Sequence, residues 1–198
     1  MKIYGDRQSG NCYKVQLVCS LLAIEHEWID VDILAGDTQR DNFTSKNPIG
    51  KIPLLELPDG RCLSESNAII NYLAHGSQLL PTDVFLLAKV QQWQFFEQYS
   101  HEPYIAVARF INKYLNLPEE RKAEYESKQI GGHKALVVMN KQLQESNYLV
   151  GNMPTVADIS LYAYTHVAQE GGFDLQQYPS VNIWLKRIEK MPNYSAMQ

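Results

Sequence analysis

The sequence predicts an α/β domain followed by an all-helical domain. Over residues 1–78, short apolar strands alternate with helices in the order strand, helix, strand, helix, strand, strand, helix. From Val84 onward, helical periodicity dominates, after a break at Pro81. The first order, with a right-handed crossover and a mixed sheet, is expected of a thioredoxin-like domain. We therefore place the two domains at residues 1–78 and 84–198.

The first strand and helix are predicted from the opening residues. Ile3 and Tyr4 form a short strand, and a polar loop follows from Gly5 to Gly10. A second strand is expected from Trp28 to Ile33. Between them, apolar residues recur at helical spacing and define the buried face of the first helix: Val15, Leu17, Val18, Leu21 and Leu22.

The start of the first helix is a candidate thiol-binding site. Redox proteins of this fold carry a C-x-x-C pair there, whereas residues 9–12 of this chain are S-G-N-C. Ser9 cannot exchange disulfides, but its hydroxyl can donate a hydrogen bond to a ligand's thiolate. Cys12 is either a thiol activated by the helix dipole, able to form a mixed disulfide, or a buried structural residue, which we favour. Tyr13 and Lys14 are expected at the surface or in an interface.

Residues 47–66, N-P-I-G-K-I-P-L-L-E-L-P-D-G-R-C-L-S-E-S, predict a binding site for a small peptide. Pro53 lacks a backbone donor and keeps Ile52 extended, so Ile52 can pair its N–H and C=O with an extended ligand. Two short apolar strands, joined by the P-D-G turn at residues 58–60, then predict a hairpin.

The segment S-E-S at residues 64–66 opens the third helix. The N-terminus of a helix attracts anions, so Ser66 and the nearby N–H groups can hold a carboxylate. Glu65 can accept hydrogen bonds from an ammonium group. The alternative is ordinary helix capping. The neighbouring proline motif favours the binding site.

The chain resembles the glutathione transferase family over nearly its whole length. The matching segments are S-G-N-C-Y-K-V near the start, N-P-I-G-K-I-P and S-E-S in the middle, and the region from Gly151 onward. The resemblance implies that Ser9 activates the glutathione thiol, and that Asn11 contacts the sulfur as in bacterial relatives of disulfide reductases. It also implies a cytosolic architecture and a homodimer in which the first domain of one subunit packs on the second domain of the other.

The same resemblance assigns the remaining contacts to glutathione. Lys51 would approach the glycine end, Ile52 would pair with the cysteinyl backbone before a cis Pro53, and the γ-glutamyl end would be held by Glu65 and Ser66. One departure concerns the glycine carboxylate. Where several classes carry a His in the second-helix region, residues 37–40 of this chain are D-T-Q-R.

Three functions remain open at this stage. The first is a transferase in which the thiolate attacks a small hydrophobic electrophile, with glutathione as co-substrate and no cofactor. The second is a glutathione-dependent disulfide reductase or peroxidase, favoured by Asn11 and Cys12. The third is a non-catalytic binding or regulatory protein of the same fold. For the transferase, the acceptor pocket is placed at Tyr104, Ala108 and Ile111, unless this stripe packs in the second-domain core.

The second domain is predicted to contain long helices. One extends from Val84 to about Leu115, and another from Pro118 to about Glu145 with a bend at Gly131-Gly132. Residues 155–158, T-V-A-D, predict a capping box in which Asp158 serves folding and not catalysis. Arg109 either forms a salt bridge or enters the cleft, and a last helix begins at Pro179.

Composition limits the class of protein further. A net charge of -4 argues against nucleic-acid binding. No apolar run approaches the roughly 20 residues needed to cross a bilayer. The three cysteines lack paired spacing, which fits a reducing compartment and speaks against a zinc site. We therefore expect a cytoplasmic protein with no membrane segment and no metal.

Overall fold

The computed structural model describes residues 1–198 and divides the chain into two compact units. The first contains Met1–Ser77 together with Met191–Gln198, and the second contains Gln78–Lys190. The end of the chain therefore lies with the first unit, rather than with the helical domain in which the sequence analysis places it.

A mixed four-stranded sheet forms the centre of the first unit, in the order β2-β1-β3-β4. β1 runs parallel to β2 and antiparallel to β3, and β3 is antiparallel to β4. The predicted thioredoxin-like α/β class is confirmed. The strands are β1 (Lys2–Gly5), β2 (Glu27–Asp30), β3 (Leu54–Glu56) and β4 (Cys62–Ser64).

β2 is shorter than the predicted strand and ends at Asp30, not at Ile33. The reason is a local turn in which Asp32 Oδ1 accepts from the backbone N–H groups of Leu34 and Ala35, both at 2.9 Å. An Asp side chain that captures the next backbone donors competes with strand pairing. A 3₁₀ turn (Asp37–Gln39) and the short helix α2 (Asp41–Thr44) follow.

Two helices, α1 (Gly10–Leu21) and α3 (Ser66–Leu73), pack against each other beside the sheet. Both helices carry buried apolar side chains, and Val18 and Ile69 expose none of their surface. Burial of such side chains supplies most of the stability of a small α/β unit.

The C-terminal segment Met191–Gln198 is tied to α1 by two side chains. The Tyr13 hydroxyl donates to the Ser195 carbonyl at 2.7 Å, and the Ser20 hydroxyl donates to the Asn193 carbonyl at 2.6 Å. Tyr13 was predicted at the surface or in an interface, but its side chain is fully buried within the first unit.

The second unit is entirely helical, which confirms the predicted class. No helix of the chain is both long and apolar enough to span a membrane. No cluster of three or more His, Cys, Asp or Glu side chains is placed to hold a metal ion. The helices are α4 (Val84–Phe96), α5 (Glu102–Arg109), α6 (Lys122–Glu145), α7 (Val156–Thr165) and α8 (Pro179–Glu189).

The long helix predicted from Val84 contains two π-helical turns, Glu97–His101 and Phe110–Tyr114. The first of them ends two residues before Pro103. Proline has no N–H and clashes with the carbonyl four residues earlier, so a regular α-helix is interrupted there. A wider π turn accommodates this interruption without ending the helix.

α6 is continuous through Gly131 and Gly132, so these glycines do not end the helix. A Cβ atom at Gly131 would lie 2.1 Å from the Tyr104 ring, and one at Gly132 would lie 2.3 Å from the Phe173 ring. These glycines allow two aromatic rings to approach the helix backbone closely.

The capping box at the start of α7 is formed as predicted. Asp158 is fully buried, and its carboxylate accepts from the backbone N–H groups of Thr155 and Leu149 and from Trp184 Nε1, each at 2.9 Å. Burial raises the pKa of Asp158, while these hydrogen bonds oppose the rise. Asp158 therefore joins the helix start to a preceding loop and to α8.

Candidate functional site

Three segments meet at one edge of the sheet. The register pairs Tyr4 with Leu54, and Leu54 with Ser64. Because β3 is antiparallel to both neighbours, its beginning lies beside the ends of β1 and β4. The loop that leads to Ser9, the Ile52-Pro53 peptide and the start of α3 are therefore neighbours.

Ser9 is the N-cap residue of α1. Its Oγ accepts from the Cys12 backbone N–H at 3.4 Å, and the side chain is half-buried. A hydroxyl that accepts at its oxygen can still donate its hydrogen. Ser9 is therefore placed to donate to an anion beside the N-terminus of α1.

Asn11, Lys14 and Ser66 form a polar cluster that joins the first turns of α1 and α3. Asn11 Oδ1 accepts from Lys14 Nζ at 2.8 Å and from Ser66 Oγ at 3.1 Å. Lys14 was predicted at the surface or in an interface and was given no role in the site, but it is fully buried. Its spacing gave a signal, because residues 11, 14 and 18 fall on one face of the helix.

The Ile52-Pro53 peptide bond is cis, as the family resemblance implies. The loop before it is held by Asn47, a buried side chain that the sequence analysis left without a role. Asn47 Nδ2 donates to the Lys51 carbonyl at 2.7 Å, and its Oδ1 accepts from the Ile49 N–H at 3.2 Å. The signal was an Asn directly before a Pro, where Asn side chains commonly fix turns.

Residues 37–40, D-T-Q-R, stand where several classes of the family carry a His, and they place an amide beside the same loop. Gln39 Nε2 lies 3.4 Å from the Gly50 carbonyl oxygen. Lys51 follows directly, and both side chains are exposed. The Gln39 amide, which donates to Thr38 Oγ1 and to the Gly50 carbonyl, and the Lys51 ammonium thus lie at one end of the edge.

Glu65 is held in an unusual backbone conformation at the N-cap of α3. Its φ is 70° and its ψ is 111°, and its side chain makes no capping hydrogen bond. Such a conformation costs a non-glycine residue about 1–3 kcal/mol. Ordinary capping therefore does not explain Glu65, whose carboxylate is exposed, whereas Ser66 beside it is buried.

Cys12 is a structural residue in this geometry. Its side chain is fully buried, and burial raises the pKa of its thiol to about 12, although a hydrogen bond with Ser9 opposes the rise. A Cβ atom at Gly5 would lie 2.8 Å from Cys12 Sγ, so the sulfur packs directly against β1. The interpretation of Cys12 as a reactive thiol loses its support.

Alkylation distinguishes the three cysteines. Burial raises the pKa of all three thiols, to about 12 for the buried Cys12 and Cys19, whereas Cys62 is only half-buried and open to the reagent. Brief treatment of the native protein with iodoacetamide at pH 8 is expected to label Cys62 alone, since the thiolate is the nucleophile. Peptide mapping by mass spectrometry gives the sites, and the urea-denatured protein is the control for full labelling. Labelling of Cys12 ahead of Cys62 would contradict the structural assignment.

The proposed acceptor residues lie on α5 and the turn that follows it. Ala108 and Ile111 are fully buried, and the half-buried Tyr104 ring packs against Gly131. The core-packing alternative accounts for Ala108 and Ile111. Arg109 forms a salt bridge, with its Nε 2.5 Å from a carboxylate oxygen of Glu170.

The fold and the site define a class of protein. One edge of a thioredoxin-like sheet carries a Ser in place of the first redox Cys, a cis-proline loop and a polar helix start. An all-helical unit follows in the chain. Thiol-dependent transferases with two such domains have this organisation.

Comparisons with known proteins agree with this class. The family models "Glutathione S-transferase, N-terminal domain" and "Glutathione S-transferase, C-terminal domain" match residues 1–75 and 84–192. The chain belongs to the glutathione S-transferase family.

Individual relatives extend over most of the chain. The crystal structure of a glutathione S-transferase from Pseudomonas fluorescens Pf-5 is 60% identical, with a TM-score of 0.98, and covers 99% of this chain and 98% of that one. The glutathione S-transferase-like protein LUC7 of a Fusarium species is 31% identical over 95% of this chain and 88% of its own. The disulfide-bond oxidoreductase YfcG of Escherichia coli K12 is 28% identical over 92% of this chain and 87% of its own.

Proposed function

We propose that this protein is a glutathione transferase that holds the glutathione thiol as a thiolate for attack on small hydrophobic electrophiles. The observation that carries the proposal is the 3.1 Å contact between Asn11 Oδ1 and Ser66 Oγ. It joins the residue expected at the sulfur to the residue expected at the γ-glutamyl carboxylate. One extended tripeptide can therefore reach both.

Glutathione would lie along the edge where the three segments meet. The cysteinyl backbone pairs with Ile52, whose cis bond to Pro53 ends the loop. Lys51 approaches the glycine carboxylate, with Gln39 beside it in place of the missing histidine. The γ-glutamyl ammonium and carboxylate are bound by Glu65 and Ser66 respectively.

Thiol activation follows from the donors at the start of α1. A free thiol titrates near 8.5, so only a few per cent is ionised at neutral pH. Hydrogen bonds from Ser9 and Asn11, together with the helix N-terminus, favour the charged form. Each pKa unit gained corresponds to about 1.4 kcal/mol of preference for the thiolate. The sulfur then bonds to the electrophilic carbon: an aryl halide loses halide with its bonding pair, and an epoxide oxygen or an enone α-carbon takes up a proton. A peroxide is instead reduced to an alcohol and water by two glutathione molecules, which form the disulfide.

The acceptor is proposed to bind on the helical unit. Apolar and aromatic surface would hold it, since small-molecule sites are mostly apolar with few polar contacts. Tyr104 is the half-buried candidate of the predicted stripe, whereas Ala108 and Ile111 are fully buried. Aryl halides, epoxides, enones and peroxides form the substrate panel.

The direct test is the ultraviolet absorbance of bound glutathione thiolate as a function of pH. The wild type is expected to show a thiolate pKa well below 8.5, and Ser9→Ala is expected to raise it by about 1–2 units and lower turnover about 10–100-fold while keeping glutathione bound. Asn11→Ala is measured in parallel. Cys62→Ser is the control, since this half-buried side chain lies opposite Glu56, at the other end of β4 from Ser64, and is expected to leave the thiolate pKa unchanged. Tight binding without a thiolate signal in the wild type would identify a non-catalytic binding protein.

A glutathione-dependent disulfide reductase is the second candidate, favoured by the similarity to the disulfide-bond oxidoreductase YfcG. Because Cys12 is sealed in the core, glutathione would supply both reducing thiols. This candidate predicts faster turnover of a small disulfide than of an aryl halide. It also predicts that thiolate formation depends on Asn11 more than on Ser9.

A cytoplasmic homodimer is part of the proposal. Large apolar side chains are exposed on both units, including Leu34 at 68%, Phe85 at 70% and Tyr99 at 80%. Exposed apolar patches mark association surfaces. The three unpaired cysteines fit a reducing compartment. Light scattering coupled to size-exclusion chromatography measures the mass, and a monomer at micromolar concentration would exclude the stable dimer.

A further inference from the structure

Lys14 is a buried cation inside the proposed glutathione site. Its Nζ donates to Asn11 Oδ1 at 2.8 Å and to Ser66 Oγ at 3.3 Å, and its side chain exposes no surface. Lysine is almost never fully buried unless its ammonium is hydrogen-bonded. Both of these hydrogen-bond acceptors belong to residues already assigned to glutathione.

Lys14 determines which atoms of its two partners face it. An amide and a hydroxyl can each donate or accept, whereas an ammonium only donates. Asn11 must therefore turn its carbonyl oxygen to Lys14, which directs Nδ2 and its two hydrogens to the opposite side of the amide. Ser66 accepts from Lys14 at its oxygen, so its hydrogen is available for donation. In this structure it donates to Asn11 Oδ1, and a rotation of the hydroxyl, with Lys14 still donating to its oxygen, would turn the hydrogen to a bound carboxylate.

We infer that Lys14 is a positioning residue that fixes Asn11 and Ser66 as hydrogen-bond donors toward glutathione. The inference rests on the proposed function, because a thiolate and a γ-glutamyl carboxylate are the groups these donors would meet. Both groups are anions that only accept. Without Lys14, the Asn11 amide can rotate and present its oxygen to the sulfur, which disfavours the thiolate.

The test compares Lys14→Gln with Lys14→Arg. Glutamine both donates and accepts, so it no longer fixes the amide, whereas the arginine guanidinium only donates. Lys14→Gln is expected to lower the thiolate fraction of bound glutathione at pH 7 about tenfold, and the affinity for S-methylglutathione, which has no free thiol, by a similar factor. Lys14→Arg is expected to recover most of both. A loss of thermal stability in Lys14→Gln with both quantities unchanged would show a purely structural role and overturn the inference.

A double-mutant cycle shows whether Lys14 acts through Asn11. In the Asn11→Ala background, Lys14→Gln is expected to leave the thiolate fraction unchanged, because the amide that it orients is gone. An equal drop in both backgrounds would mean that Lys14 acts on the sulfur independently. That result would overturn the role assigned to Asn11.

Asn11→Asp tests the same point without changing Lys14. Aspartate keeps an oxygen for the ammonium but replaces the amide donor with a second acceptor. The thiolate fraction is expected to fall below that of Asn11→Ala, and a wild-type value would overturn the inference even if Lys14→Gln fails to fold. If the wild type forms no thiolate, the proposed function fails. In that case the inference is tested for Ser66 alone, by comparing the affinities of Lys14→Gln and Lys14→Arg for S-methylglutathione.

Discussion

Replacing Asp158 with alanine is expected to lower the free energy of unfolding by about 3–5 kcal/mol. The carboxylate accepts from Thr155 N, Leu149 N and Trp184 Nε1 at a fully buried position. Alanine offers these donors nothing, and each buried donor without a partner costs about 1–3 kcal/mol. The change also removes half of the capping box of α7. Urea unfolding followed by circular dichroism at a fixed protein concentration gives the difference in midpoint.

The matched control is Asp83→Ala. Asp83 is an exposed N-cap residue whose carboxylate accepts from Leu86 N alone, at 2.8 Å. Its loss is expected to cost about 1 kcal/mol. Asp158→Asn keeps one side-chain oxygen and should fall between the two alanine variants. If both alanine variants cost the same, Asp158 is only a helix cap, and the connections to the loop and to α8 contribute no stability.

The fold was predictable because its signals are local and repeated. The order of strands and helices gave the mixed sheet, and T-V-A-D at residues 155–158 gave the cap. Errors arose where a long-range contact decides the local structure. Gly131 and Gly132 resemble a helix break in sequence, but they serve the rings of Tyr104 and Phe173. No pattern within α6 reveals which ring will approach it.

The candidate site was predictable from its motifs, although not all of its chemistry was. Residues contributed by short motifs, such as Ser9, Pro53 and Ser66, lie together because the register aligns the ends of three strands. Lys14 was missed, because a lysine is normally assigned to solvent. The sequence shows the helical spacing of Lys14, but it does not show that the Asn11 and Ser66 oxygens accept hydrogen bonds from it. Those oxygens come from two helices far apart in the chain.

Replacing Glu65 is expected to separate binding from stability. Its carboxylate is assigned to the γ-glutamyl ammonium, and loss of a charged hydrogen bond is expected to weaken glutathione binding about 10–100-fold in both Glu65→Ala and Glu65→Gly. The two variants differ in backbone strain. Glycine adopts a φ of 70° freely, whereas alanine does not. Glycine relieves a backbone strain of about 1–3 kcal/mol, but it also gives the unfolded chain more conformational entropy, which offsets part of the gain. Glu65→Gly should therefore be more stable than Glu65→Ala by about 1 kcal/mol.

Ala68→Gly supplies the matched control, because Ala68 is exposed and lies inside the same helix, α3. There, glycine is expected to destabilise the protein by about 1 kcal/mol, the opposite sign from the Ala-to-Gly difference at position 65. Calorimetric titration with glutathione and thermal unfolding measure the two effects. Equal stability of the two Glu65 variants would remove the argument from strain, and wild-type affinity in either would remove Glu65 from the site. Weaker binding together with the predicted gain in stability would mean that the strained backbone persists because it holds the Glu65 carboxylate where glutathione needs it.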